Sequence, residues 1–246
     1  MIRDPLQEVL EVALRTPDHA GPGDLDPADV AALRLARRRF GVALPPPYIP
    51  PPADPARLPI RPGTGVDGPA LAAVQRRAHR ARYRGLLSDA FLDGLDLGYL
   101  GGYWTGRAAA SPSARHHLLV AGRPGEAYGM VDTGPTRDGD GDVDGGGTPR
   151  TGEVCSVYVD PTVTGRGLGS ALLGHAVATL AAHGFTGAVL WVVEGNVRAR
   201  AFYERWGWRP DGSRKVTPID AEHVDEVRYR LDRLDRLPGP GRAPGV

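Results

Sequence analysis

The residues best suited to chemistry fall within 152–208. Thr164-Gly165-Arg166-Gly167-Leu168-Gly169-Ser170 sets glycines at alternate positions at the head of an amphipathic segment. In the first turn of a helix the backbone N–H groups have no carbonyl partners, and the helix dipole adds partial positive charge, so a pyrophosphate fits there. Without Cβ atoms at 165, 167 and 169 the backbone can come close to phosphate oxygens, and Arg166 adds a guanidinium able to pair with them. The spacing matches neither the dinucleotide fingerprint nor a P-loop, so taken alone the turn is equally compatible with a structural role. Further on, Asn196 precedes Ala199, Phe202 and Tyr203, and a tyrosine phenol can donate a proton. Glu153 supplies a carboxylate before the turn, and Cys155, the single cysteine, reads as a small core residue.

These groups need a scaffold. Residues 153–159 are rich in β-branched and aromatic types and read as a strand, which Asp160 and Pro161 end. Residues 170–183 place Leu172, Leu173, Ala176, Val177 and Leu180 on one helix face, with Gly184 as the stop. Residues 188–193 (AVLWVV) are continuously apolar, as in a central strand covered on both faces. Asn196 then caps a helix over 197–206 that ends at Gly207.

Strand, glycine turn, helix, buried strand and capped helix together resemble the GNAT superfamily of acyl-CoA-dependent N-acetyltransferases. In that family a Gln/Arg-x-x-Gly-x-Gly/Ala turn grips the pyrophosphate of acetyl-CoA, and a later Asn followed seven residues on by Tyr completes the site. The resemblance spans residues 58–231 and is strongest over 153–208. It implies an α/β (α+β) fold, a mixed and mostly antiparallel sheet of six to seven strands flanked by helices. It implies acetyl-CoA as cosubstrate, held by Thr164, Gly165, Arg166, Gly167, Gly169, Ser170, Asn196, Ala199 and Tyr203, with no metal. Backbone bonds from Val157 and Val159 are implied for the pantetheine arm, which inserts like a strand. Thr164 stands where the family has Gln or Arg, which removes a long polar side chain and leaves the backbone donors in place.

The same resemblance gives Tyr203 the role of general acid toward the leaving thiolate. An attacking amine must be neutral, although its unperturbed pKa is near ~10, so a base or a water chain is also required. Glu153 is the candidate base, with an ordered water as the alternative. His116, His117 and His223 are candidates for acceptor-side polarity, and Arg198 and Arg200 for the nucleotide phosphates, each against a plain surface role. The expected activity is acetyl transfer to a primary amine of a small molecule. Acetylation of a protein N-terminus or lysine, and a regulatory acyl-CoA-binding module without turnover, are the alternatives.

Elsewhere the sequence marks boundaries. Residues 1–57 read as a helical extension and Pro-rich linker, 58–236 as the catalytic domain and 237–246 as a disordered tail. Leu6, Val9, Leu10, Ala13 and Leu14 make one apolar stripe, and Asp26 with Pro27 opens a second helix that stops at Gly41. Two such helices must dock on the main domain or on a second subunit, as in a homodimer. Helices are predicted over 70–86 and 88–95, and a hairpin over 117–121 and 126–131. A long loop is predicted over 133–152 and a last strand around Val227, Tyr229 and Leu231. Asp140, Asp142, Asp144 and Gly145 copy the first half of a calcium loop, but Thr151 stands where its bidentate Glu should be.

Composition narrows the function classes. A net charge of +1, from 30 basic and 29 acidic residues, gives no electrostatic case for nucleic acid or an anionic membrane. One cysteine excludes an internal disulfide and a cysteine-based zinc cluster. No apolar run approaches the ~20 residues of a membrane span, and the first residues do not form a signal peptide. The expectation is a cytoplasmic enzyme.

Overall fold

The computed structural model describes residues 52–109, 115–138, 150–219 and 222–234. The predicted N-terminal helices, the calcium-like half motif at Asp140, Asp142 and Asp144, and the tail lie outside the described residues. Seven strands form one sheet in the order β1-β2-β3-β4-β5-β7-β6. They are β1 (Ile60–Pro62), β2 (His117–Ala121), β3 (Gly129–Pro135), β4 (Thr151–Val159), β5 (Gly187–Val193), β6 (Arg209–Ile219) and β7 (Glu222–Leu231). All neighbours run antiparallel except β4 and β5.

Among the described residues five α-helices cover the sheet: α1 (Gly68–Tyr83), α2 (Asp89–Gly94), α3 (Leu97–Ala109), α4 (Leu168–Ala182) and α5 (Val197–Arg205). The pleat decides which helix meets which face. On β3, Met130 packs with Leu71 of α1 and Trp104 of α3, whereas its neighbour Val131 packs with Leu172 and Leu173 of α4. Successive strand side chains point to opposite faces, so α1 and α3 lie on one side and α4 on the other. Among the described residues no helix is long and apolar enough to cross a membrane.

The functional opening comes from one short pairing. β4 bonds to β5 only through Thr151–Glu153, although β4 continues to Val159 and β5 to Val193. A bulge accompanies the parting: pairing with β3 passes from Thr133↔Val154 to Asp132↔Ser156, leaving Cys155 without an opposite residue. Such an extra residue bends the strand and raises its local twist. Beyond Glu153 the β5-facing edge of β4 therefore has backbone groups without a sheet partner, and the two strands splay.

Several predicted elements shift. The second hairpin strand begins at Gly129 rather than Glu126, because Glu126 N donates back to Arg123 O in a turn (2.9 Å). It then runs to Pro135, and β4 starts at Thr151, so both ends of the predicted loop over 133–152 are sheet. α3 and β6 had no prediction. α3 carries Gly98, Gly101, Gly102 and Gly106, which oppose helix formation, and is held by packing on α1. A Cβ on Gly68 of α1 would sit 2.0 Å from Thr105 Oγ1 and 2.6 Å from Gly101 O, so only glycine permits this approach.

Candidate active site

A cavity of about 540 Å³ occupies the opening between β4 and β5. Its walls are residues 154–159 of β4, 191–193 of β5, the glycine turn and α5. Asp160 anchors the turn: its carboxylate accepts from Thr162 N (3.0 Å) and Thr162 Oγ1 (2.7 Å) and from Nε (2.8 Å) and Nη2 (2.5 Å) of Arg77 on α1. The Thr164 hydroxyl donates to Asp160 O (3.1 Å). Gly165 and Gly167 then take left-handed backbone, with φ of 81° and 86°, a region costly for residues with a side chain. Gly167 O accepts from Ala171 N (3.1 Å), so the amides of Leu168, Gly169 and Ser170 have no helical acceptor. That is an anion cradle opening on the cavity.

Opposite the cradle, Asn196 Oδ1 accepts from Ala199 N (3.1 Å) and so fixes the start of α5. Arg82, Arg198 and Arg205 also line the cavity, and burial, together with the Arg198 charge, lowers the Arg82 pKa. Glu226 is the only acid in that lining among the described residues, and it lies 3.5 Å from Lys215. The lining is thus predominantly cationic, as a polyphosphate requires.

Tyrosines close the inner end. Burial, with a smaller effect from Tyr83, pushes the Tyr203 pKa well above the ordinary phenol range, so the hydroxyl keeps its proton. Tyr158 is shifted the same way, first by burial and then by Tyr83, Tyr103 and Tyr203. His79 of α1 sets its ring edge-on to Tyr83 (5.1 Å) and Tyr158 (5.2 Å). Its Nδ1 is buried with no hydrogen-bond partner, and burial lowers its pKa to about 4, so the imidazole is neutral at pH 7.

A second cavity of about 470 Å³ lies against α3 and shares Cys155, Ser156 and Tyr158 with the first. At this junction the Ser156 hydroxyl is buried without a hydrogen-bond partner. Cys155 offers no nucleophile, because burial, reinforced by Glu153 and Asp132, pushes its thiol up to about 12. Tyr99, Tyr103, Trp104 and Arg107 of α3 line this cavity together with His116, Asp132 and Arg137.

All the residues expected at the cosubstrate site line the first cavity except Arg166, and of the two catalytic candidates only Tyr203 does. Glu153 is 1 % exposed and faces elsewhere. Its carboxylate accepts from Arg137 N (3.0 Å), Nε (3.1 Å) and Nη2, so it is held by an arginine rather than presented as a base. Arg166 donates Nη2 to Ala53 O (2.6 Å) and Pro52 O (3.1 Å), gripping the Pro-rich strap instead of pointing into the cavity. His116 lines the second cavity, His117 stacks on His183 (4.0 Å) and His223 is exposed. Arg200 bonds Tyr229 Oη (3.1 Å) and Glu194 O (3.1 Å), outside the cavity that Arg198 lines.

Sequence reasoning missed His79, Arg82, Ser156, Tyr158 and Arg205. For Ser156 and Tyr158 a signal existed: the period-2 pattern of β4 places them on the face opposite Val157 and Val159. For His79 and Arg82, helix spacing gave no hint of the cavity.

A sheet that splays beside free helix N-terminal amides is an arrangement able to take a nucleotide thioester. Residues 87–208 match the Acetyltransferase (GNAT) family, and this part of the chain is a GNAT acetyltransferase domain. It is 28 % identical over 183 residues to a probable N-acetyltransferase of Mycobacterium tuberculosis, covering 73 % of this chain and 96 % of that one. Its fold matches the ribosomal-protein-alanine N-acetyltransferase of Brucella melitensis at a TM-score of 0.52 and 24 % identity, over 71 % of this chain and 99 % of the other. It also matches the paia N-acetyltransferase of Thermoplasma acidophilum, solved in complex with coenzyme A, at a TM-score of 0.50 and 17 % identity, over 71 % and 98 %.

Proposed function

We propose that the chain transfers an acetyl group from acetyl-CoA to the primary amine of a small molecule by direct attack. The observation that carries this reading is the meeting of two cavities at Cys155, Ser156 and Tyr158, one with an anion cradle and one without. Acetyl-CoA enters the first, its diphosphate on the amides of 168–170 and its thioester toward the junction. The β5-facing edge of β4 beyond Glu153 offers backbone partners to the pantetheine arm, and Val157 and Val159 belong to that stretch. The acceptor enters the second cavity, whose volume suits a small molecule.

In the reaction the amine lone pair forms a C–N bond at the acetyl carbon and the C–S bond breaks. Tyr203 donates its O–H to the departing sulfur, a role supported by its place in the cavity and its retained proton. The Ser156 hydroxyl accepts a hydrogen bond from the incoming amine or from a water beside it, and the proton that the nitrogen loses as the C–N bond forms passes through water to the Tyr203 oxygen, restoring the phenol. Glu153 is not assigned the base role, since Arg137 occupies it. The free thiol of Cys155 fits the reducing cytoplasm in which we place the enzyme.

The test is release of free CoA from acetyl-CoA in the presence of single primary amines, with calorimetric titration of acetyl-CoA beside it. Amine-dependent release is expected. Binding without turnover of any amine would favour a regulatory module, and absence of binding would refute the site.

A further inference from the structure

We propose that the second cavity selects an amine that also carries a carboxylate and an apolar or aromatic body, an amino acid or near analogue, and that Arg137 binds the carboxylate. The inference rests on the acetyl-transfer reading and adds the substrate class. It starts from charge. Two arginines, Arg107 and Arg137, line the cavity against one acid, Asp132. Asp132 is 5 % exposed and already held in a fork by Arg107, through Nε to Oδ2 (3.1 Å) and Nη2 to Oδ1 (2.6 Å). Burial, and then the Arg107 charge, lowers the His116 pKa, which leaves that ring neutral at pH 7. Among the described lining residues no carboxylate is left for a second ammonium, which disfavours polyamines and other polycations.

Arg137 has the opposite character. Its side chain is 66 % exposed, yet its partner Glu153 is only 1 % exposed. A guanidinium is a planar fork with five N–H donors. Glu153 takes the Nε–Nη2 edge, and the planar geometry sets the Nη1–Nη2 edge about 120° away from it, on a side chain that is mostly exposed. That outward edge is a bidentate carboxylate receptor with its orientation already set. Glu153 thus acts as a positioning residue: Arg137 N also donates to it (3.0 Å), so the backbone and the head group of Arg137 are tied to one buried carboxylate. α3 supplies the surface for the body of the acceptor. Tyr99 and Tyr103 are 75 % and 52 % exposed one helical turn apart on α3, and Trp104 and Tyr158 form the floor. Large aromatic faces held open beside a charged fork suit an acceptor with one apolar and one anionic end.

The experiment compares matched acceptors that differ only by the carboxylate: phenylalanine with phenethylamine, and tryptophan with tryptamine, with spermidine and a short peptide alongside. Free CoA release is read as kcat and KM separately. The acid of each pair is expected to be preferred ~10–100-fold in kcat/KM, the range of a charge-assisted pair. In Arg137→Gln the preference collapses through KM, Arg137→Lys restores part of it, and Glu153→Gln lowers it without touching the acceptor. Thermal melts confirm folding. Should Glu153→Gln unfold, the wild-type pairs and the exposed-site Arg137 variants remain decisive. Preference for phenethylamine, spermidine or the peptide overturns the proposal. So does a preference that survives in Arg137→Gln, or failure to consume any carboxylated amine while acetyl-CoA binds. Wild-type protein that does not bind acetyl-CoA overturns the parent reading, and this one with it.

Discussion

Replacing Gly169 with valine is expected to remove acetyl-CoA binding at little cost to the fold, which makes it a cleaner probe of the cradle than any change at Gly167. Gly169 lies in the first turn of α4. A Cβ built there finds Val159 Cγ2 at 3.7 Å and Phe202 Cζ at 3.8 Å, ordinary contact distances, and no nearer atom. Alanine is therefore neutral to stabilising by up to about 1 kcal/mol, and valine gives back a few tenths of that. Gly167 differs: its φ is 86° and a Cβ would lie 3.1 Å from Ala56 Cβ, so a side chain strains the free protein by about 1–2 kcal/mol. The valine methyls at 169 enter the volume that phosphate oxygens need if they are to come within ~2.9 Å of the amides. Losing two charge-assisted hydrogen bonds at ~1.5–3 kcal/mol each weakens binding by ~10²–10⁴-fold. Calorimetric titration with acetyl-CoA, paired with a thermal melt, reads both quantities. A folded Gly169→Val protein with a Kd within about threefold of wild type would refute the cradle.

Tyr203→Phe is expected to lower kcat by ~10²–10⁴-fold with acetyl-CoA affinity unchanged; an unaltered kcat removes tyrosine from the chemistry. His79 is held at about 4 by burial against an ordinary 6.5, so below pH 6.5 the unfolded chain takes up a proton that the fold refuses. Stability therefore drops as pH falls from 6.5 to about 4, by at most about 3 kcal/mol, and denaturant titrations of His79→Gln at pH 7 and pH 4.5 should show a correspondingly smaller difference than wild type. For Asp67, burial raises the pKa, but hydrogen bonds from Arg61, Gly125 N and Thr64 outweigh it and hold the carboxyl at about 2. Its contribution is complete above pH 4 and disappears as pH falls through about 2; Asp67→Asn should cost about 3 kcal/mol at pH 7 in a chemical melt, leaving acetyl-CoA affinity as it was.

Local chemistry is what the sequence by itself determined. The glycines of 165–169, the N-cap at Asn196, the apolar face of α4 and the β-branched run of β4 each act within one turn or one strand, so turn, helix and strand were legible from residue order. The family followed from that order, because the cradle and the Asn–Tyr pair are contiguous motifs. Tertiary structure decided the rest. α3, poor in helix propensity, exists because Gly68 allows α1 to pack on it, and it walls the acceptor cavity. Glu153 looks like a base in one dimension, yet Arg137 claims it across the β3–β4 pairing, and Arg166 turns to the strap rather than to the phosphates. His79 and Ser156 gain meaning only where α1 and the bulged β4 leave their polar atoms buried without partners. Such roles depend on contacts between residues distant in the chain, and neither propensity nor periodicity encodes which of those contacts form.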